Sequence, residues 1–140
     1  MLRPLAKNDY DWHPERSARG PITMVMSGAD KAIYVYRNGN PIGRARVEIG
    51  GRGALGDHVF SLLEGTTGRM SSLVPGRQAR RCMWVTSRGR RADAEKIASR
   101  LRMNPEFAGK VYETIAPGTT VIITDQPVVR SRRNAAILES

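Results

Sequence analysis

Residues 22–49, ITMVMSGADKAIYVYRNGNPIGRARVEI, decide the fold of this chain. Two apolar runs, 22–27 and 32–37, are separated by a polar break, and tyrosines alternate with aliphatic residues in the second run. Asn38-Gly39 follows directly, and this dipeptide suits the positive φ angles at both central positions of a type I′ turn. Residues 41–49 then supply a third strand. The stretch therefore predicts an antiparallel β-meander.

Local signals in the second half of the chain predict two short helices and a closing strand. Residues 92–101 place apolar side chains at i, i+3, i+4 and i+7, which is the spacing of an amphipathic helix. Asn104-Pro105 is typical of a helix start, because Asn caps free N–H groups and Pro needs no hydrogen bond at the first helical position. That second helix is predicted over 105–115. Thr119–Thr124 is a β-branched run, which favours a strand.

The segment between the meander and the first helix has weaker patterns. Residues 59–64 are predicted as a fourth strand, and Cys82–Val85 is a short apolar run typical of a buried strand. Residues 65–81 contain glycines and a proline without a sustained period, and we predict a long loop there. A β-meander at the start and two short helices before the last strand indicate a mainly β or α+β domain.

The length of 140 residues suits one domain with a core of its own. We expect an irregular leader over residues 1–20, a single domain over 21–127 and a basic, flexible tail over 128–140. No apolar run reaches the roughly 20 residues that span a bilayer, and the N-terminal residues lack the apolar stretch of a signal peptide.

Little in the sequence suggests a metal or a cofactor. One cysteine and two histidines offer few ligands for a metal centre. Gly51–Gly56 has the glycine spacing of a dinucleotide-binding loop, but the residues after it predict a strand where that motif needs a helix. We therefore expect neither a metal nor a cofactor.

The net charge of +10 is concentrated in the second half of the chain. A basic surface of this kind attracts anionic ligands, and arginine suits carboxylates and phosphates especially well. No acidic residue lies between residue 69 and Asp93, so we expect these arginines to lack acidic partners within the fold. The alternative is a well-solvated surface without a ligand. The candidate ligand-binding residues are Arg77, Arg80, Arg81, Arg88, Arg90 and Arg91.

The meander resembles the opening of the L,D-transpeptidase (YkuD-like) catalytic domain family, and residues 116–123, APGTTVII, resemble its closing strand. The residues that carry the first match are Ser27, Tyr34, Val35, Tyr36, Arg37, Asn38, Gly39, Ile42 and Gly50. The resemblance implies a β-sandwich core and a place in the periplasm or bacterial cell envelope. It also implies an ancestral activity in which a cysteine acyl-enzyme cross-links peptidoglycan stem peptides.

The catalytic signature of that family is not found in this chain. Members carry a His-Gly segment and, downstream, Ser-x-Gly-Cys-[Val/Ile]-Arg, in which histidine activates the thiol and backbone N–H groups line an oxyanion hole. Here the only cysteine, Cys82, is preceded by Arg80-Arg81 and followed by Met83-Trp84. His58 is the remaining candidate partner. Cys82 and His58 are therefore candidates for an improvised dyad, with a core cysteine and a loop histidine as the alternative.

The sequence leaves three functions open. The first is a catalytically inactive L,D-transpeptidase-like domain that binds peptidoglycan or a protein partner. The second is an active L,D-transpeptidase. The third is a basic adaptor that binds nucleic acid or anionic lipid; the arginines favour it, and the absence of a nucleic-acid-binding motif argues against nucleic acid.

Overall fold

The computed structural model describes residues 5–87 and 93–128. The predicted tail over 129–140 and the candidate residues Arg88, Arg90 and Arg91 lie outside these ranges. The described strands are β1 (Tyr10–Trp12), β2 (Ile22–Ser27), β3 (Ala32–Arg37), β4 (Asn40–Arg46), β5 (Glu48–Ile49), β6 (His58–Met70), β7 (Gln78–Ser87), β8 (Leu101–Arg102) and β9 (Thr120–Thr124). The helices are a short 3-10 turn (Pro14–Arg16), α1 (Ala94–Ser99) and α2 (Pro105–Thr114).

The described strands form a seven-stranded mixed sheet in the order β1-β4-β3-β2-β9-β6-β7, and β5 pairs with β8 in a second, two-stranded sheet. Strand β9 runs parallel to β2 and antiparallel to β6, and the other neighbours are antiparallel. The described part of the chain is therefore mainly β with two short α-helices, as the sequence predicts.

The meander forms where the turn chemistry places it. Strands β3 and β4 pair antiparallel, with Arg37 opposite Asn40. The two residues between them, Asn38 and Gly39, have φ angles of 52° and 80°. Positive φ at both positions is the requirement of the type I′ turn, so the predicted hairpin is confirmed.

The main core lies between the helices and one face of the sheet. Phe107 on α2 is fully buried, and Met26 on β2 and Val35 on β3 are almost so. The rings of Tyr10 and Trp12 lie 5.6 Å and 5.8 Å from the Phe107 ring. These contacts explain why part of the predicted irregular leader forms strand β1 at the sheet edge.

A smaller cluster covers the other face of β3. Tyr34 and Ala32 are buried there against Val128. The Tyr34 hydroxyl donates to Asp30 Oδ2 at 2.9 Å, and the Val128 N–H donates to the same oxygen at 2.9 Å. Burial is the larger cause and the hydrogen bond to Asp30 the next, and together they raise the pKa of Tyr34 well above its ordinary value. Strand β3 is therefore covered on both faces.

The predicted loop over 65–81 is wrong. Strand β6 continues to Met70, and β7 begins at Gln78, so a long antiparallel hairpin replaces most of that loop. The pairing is interrupted between Leu62 and Thr66 and again between Thr66 and Met70. Gly65 and Gly68, both at φ 82°, provide these irregularities, and the same glycines gave the sequence its loop-like appearance. We call residues 63–85 of this hairpin the arm.

Candidate functional site

An open groove of about 620 Å³ separates the arm from the start of α1. The arm contributes Arg69, Arg80 and Trp84 together with a cysteine, while the N-terminal residues of α1 contribute carboxylates. The side chains that line the groove are Thr67, Arg69, Arg80, Cys82, Trp84, Asp93, Ala94 and Glu95. The groove therefore combines cations, anions and one aromatic ring.

Cys82 lies in this groove, on strand β7 opposite Leu62. The sequence predicts a buried strand here, and that prediction is wrong, since Cys82 is exposed and so are Met83 and Val85. Within the groove, partial desolvation nevertheless raises the pKa of the Cys82 thiol. The Sγ atom lies 3.9 Å from the Arg80 carbonyl oxygen. A raised pKa lowers the thiolate fraction at neutral pH, so this environment does not activate a nucleophile.

His58 lies at the other end of the same strand pair. It is buried and stands opposite Ser87, while Cys82 stands opposite Leu62. Four residues along a strand place the two positions about 13 Å apart. The His58 Nε2 atom is 2.9 Å from the Leu55 carbonyl oxygen. The structure therefore does not bring the two candidate dyad residues together.

Arg77 and Arg80 fasten the arm to helix α2. The Arg77 guanidinium lies 4.4 Å from the centre of the Tyr112 ring, and the Arg80 guanidinium lies 4.7 Å from it. The Tyr112 hydroxyl donates to the Gln78 carbonyl at 2.7 Å. Arg77 also forms an ion pair with Glu113. The expectation that these arginines lack acidic partners is therefore wrong for Arg77, because chain folding brings an acid from α2 to it.

Arg81 is held much more loosely than its neighbour. Its Nη1 atom donates to the Glu64 carbonyl at 3.4 Å, and the residue is exposed. Within residues 5–87 and 93–128, no carboxylate pairs with Arg81. Arg69 is also exposed, and it forms an ion pair with Glu95 at 2.9 Å across the groove.

The glycine-rich segment 50–56, which we call the crossing, is held by two charged residues for which the sequence gives no signal. Asp125, just after β9, accepts from the Leu55 and Gly56 N–H groups at 2.7 Å each. Arg100, just after α1, donates to the carbonyls of Gly50, Gly53 and Ala54 at 2.8, 2.7 and 3.2 Å.

These bonds leave the crossing unsuited to a phosphate. The N–H groups of Leu55 and Gly56, which a phosphate would need, already bind the Asp125 carboxylate. The crossing also leads into strand β6 rather than a helix, as the sequence predicts. Asp125 lies about 70 residues from its partners, so no local sequence signal could have found this contact.

Neither a candidate metal centre nor a membrane-spanning helix is present among the described residues. Residues 5–87 and 93–128 contain no cluster of three or more His, Cys, Asp or Glu side chains that could hold a metal ion. The same residues contain no helix with the length and hydrophobicity required to cross a bilayer.

Comparison with known proteins does not assign the chain to a family. No protein-family model, no curated protein and no solved structure matches it.

Proposed function

We propose that this chain is an L,D-transpeptidase-like domain of the bacterial cell envelope that binds peptidoglycan in the groove between the arm and α1 without catalysing acyl transfer. The proposal combines the family resemblance of the sequence with the chemistry of the groove. Its anionic and cationic side chains suit a ligand that itself carries both carboxylates and amines, as peptidoglycan stem peptides do.

The order of the elements supports the resemblance. The meander β2–β3–β4 opens the domain, α1 and α2 precede the last strand, and β9 then pairs with β2. An opening meander and a helix before the last strand are what the resemblance leads us to expect. A YkuD-like sandwich core remains part of the proposal.

The separation of Cys82 from His58 is the observation that carries the non-catalytic part of the proposal. Acyl transfer through a cysteine needs a base within hydrogen-bonding reach of the thiol. Here the two positions are about 13 Å apart along the strand pair, and the pKa of the Cys82 thiol is raised, the opposite of what a nucleophile needs. No histidine of the described residues lines the groove.

The groove offers three kinds of contact to such a ligand. Arg69 and Arg80 offer cations to the carboxylates of the ligand, and Asp93 and Glu95 offer anions to its amines. Trp84 adds an apolar surface. Of Arg69 and Arg80, Arg69 is the more accessible, because its side chain is 77% exposed and its ion pair with Glu95 lies at the surface. Surface ion pairs are weak, so a ligand carboxylate can replace Glu95 at small energetic cost.

Co-sedimentation with purified peptidoglycan sacculi tests the binding. We expect Arg69→Glu to weaken binding and to reduce its dependence on salt concentration, because the variant repels the ligand carboxylates. Arg52→Glu is the matched control, since Arg52 is exposed on the crossing and does not line the groove. Equal loss in both variants would indicate attraction by net charge alone. Unimpaired binding of Arg69→Glu would contradict the groove.

A second measurement separates this proposal from an active transpeptidase and from a basic adaptor. Incubation with a donor tetrapeptide, followed by mass spectrometry of the intact protein, detects any acyl group on Cys82. We expect none. An acyl adduct that disappears in Cys82→Ser would establish the active enzyme. Retention on anionic lipid vesicles, without retention on sacculi, would instead establish the adaptor.

A further inference from the structure

An open pocket of about 500 Å³ lies on the face of the main sheet that is opposite to the groove. Val59 on β6 stands between Ile122 on β9 and Thr86 on β7, and these three residues line the pocket. Trp84, which lines the groove, stands opposite Phe60 instead. Because Val59 and Phe60 are successive residues of β6, they point to opposite faces of the sheet. The pocket and the groove are therefore separate sites.

A carboxylate and a hydroxyl close one end of this pocket. Asp57 lies two residues before Val59, and Thr124 lies two residues after Ile122, so strand alternation brings both to the same face. The Thr124 hydroxyl donates to Asp57 Oδ1 at 2.7 Å. This hydrogen bond holds the carboxylate beside the apolar side chains of Val59 and Ile122, which are both half-buried. The pocket thus has a charged end and an apolar floor.

The Asp57 carboxylate is not neutralised by the described part of the chain, although the whole chain has a net charge of +10. Within residues 5–87 and 93–128, no Lys, Arg or His pairs with it, and no group donates to its Oδ2 atom. Asp125 differs, because each of its oxygens accepts a backbone N–H of the crossing. Asp57 is also half-buried, and a carboxylate that is partly removed from water without a counter-ion gains from a cationic ligand.

We propose that this pocket binds a small primary amine that carries a short aliphatic chain. The ammonium group donates a charge-assisted hydrogen bond to Asp57 Oδ2, and its other N–H groups stay hydrated at the open side of the pocket. The aliphatic chain lies over Val59 and Ile122. Two residues along a strand span about 6–7 Å, which matches an aliphatic chain of about four or five carbons. Asp57 repels an anionic ligand of the same shape. This site does not depend on peptidoglycan binding in the groove.

Titration of the isotope-labelled protein with n-pentylammonium, followed by NMR, tests this proposal. We expect saturable shifts of the backbone amide signals of Val59, Thr86 and Ile122. Methylammonium has the charge without the chain, and 1-pentanol has the chain without the charge, so each should bind at least about tenfold more weakly. Pentanoate should not bind. Equal binding of methylammonium and n-pentylammonium would mean that charge attraction alone is measured, and the proposal would then be wrong. Absence of shifts at these three residues also overturns it.

Protein variants locate the amine. Asp57→Asn keeps an oxygen that accepts from Thr124 but loses the charge, so we expect its affinity for n-pentylammonium to fall at least about tenfold. Glu64→Gln is the matched control, because Glu64 is an exposed acid that does not line the pocket, and its affinity should stay within about twofold of the unmodified protein. Unchanged binding by Asp57→Asn contradicts the proposal. Shifts confined to Ala94 and Glu95 would place the amine in the groove and also contradict it.

Discussion

Charged side chains contact the crossing and project from the arm, but their roles in the two regions are opposite. Arg100 and Asp125 lie outside the crossing and bind its backbone carbonyls and N–H groups. In the arm, Arg69 and Arg81 are exposed and interact weakly with the rest of the fold. The charges that bind the crossing are thus committed to stability, while Arg69 and Arg81 of the arm remain available. A charged side chain that binds otherwise unsatisfied backbone groups is part of the fold, so an exposed charge without such a contact is the better candidate for a ligand contact.

The largest effect is expected in the crossing. Asp125→Ala removes a partly buried carboxylate that accepts two backbone N–H groups, and hydrogen bonds to a charged group contribute about 1.5–3 kcal/mol each. We expect the free energy of unfolding in urea to fall by about 3 kcal/mol. Asp125→Asn should show a smaller loss, because its amide oxygen can still accept one bond. If Asp125→Ala lowers the free energy of unfolding by less than about 1 kcal/mol, the charges that bind the crossing contribute no more to stability than the exposed charges of the arm.

Neighbouring arginines of the arm provide the next test. Arg80 stacks on Tyr112 and donates to its carbonyl at 3.3 Å, so we expect Arg80→Ala to lower the unfolding free energy by about 1 kcal/mol. For Arg81→Ala we expect a change within about 0.5 kcal/mol, since the residue is exposed and loosely held. Thermal denaturation of the two variants checks both values. Equal losses would mean that the arm holds both arginines structurally.

Cys82 gives a kinetic test of the arm. Desolvation raises its pKa above the ordinary thiol value of 9.0, so less thiolate is present at neutral pH than in free cysteine. We expect iodoacetamide to label Cys82 more slowly than free cysteine at pH 7, and the rate to keep rising with pH through pH 9. A rate that levels off below about pH 8 would instead identify an activated thiolate and favour the active enzyme.

The smallest effect concerns the ion pair across the groove. Arg69 and Glu95 are 77% and 43% exposed. Because water screens such pairs, we expect a double-mutant cycle with Arg69→Ala and Glu95→Ala to give a coupling below about 0.5 kcal/mol at 0.15 M salt. A coupling above about 1 kcal/mol would show that the pair closes the groove rather than leaving Arg69 available.

Those parts of the fold that depend on local chemistry could be predicted from the sequence. Asn38-Gly39 sets the turn of the meander by itself, and the Asn104 side chain accepts from the Glu106 N–H at 2.8 Å at the predicted start of α2. The sequence predicts strands at 59–64 and 82–85 but not their extension through 65–81, because Gly65 and Gly68 hide the strand pattern there and the pairing that overrides them comes from residues 78–87.

The candidate site was less predictable, because its features arise between distant segments. Cys82 can be named as a candidate because it is the only cysteine in the sequence. Its distance from His58, however, depends on the register of two strands. The partner of Arg77 is Glu113, which lies 36 residues along the chain on another element. An apolar run such as Cys82–Val85 also has the same appearance in a central strand and at a sheet edge, so its exposure could not be predicted.

The position of β9 has a consequence for how the chain folds during synthesis. Strand β9 lies between β2 and β6 and joins the meander to the hairpin β6–β7. Residues 22–46 can form their hairpins early, but among the described strands the two halves of the sheet share no pairing until residues 120–124 emerge from the ribosome. Pairings this distant in sequence form slowly and leave strand edges open meanwhile. A nascent chain stalled before residue 120 is therefore expected to need chaperone protection.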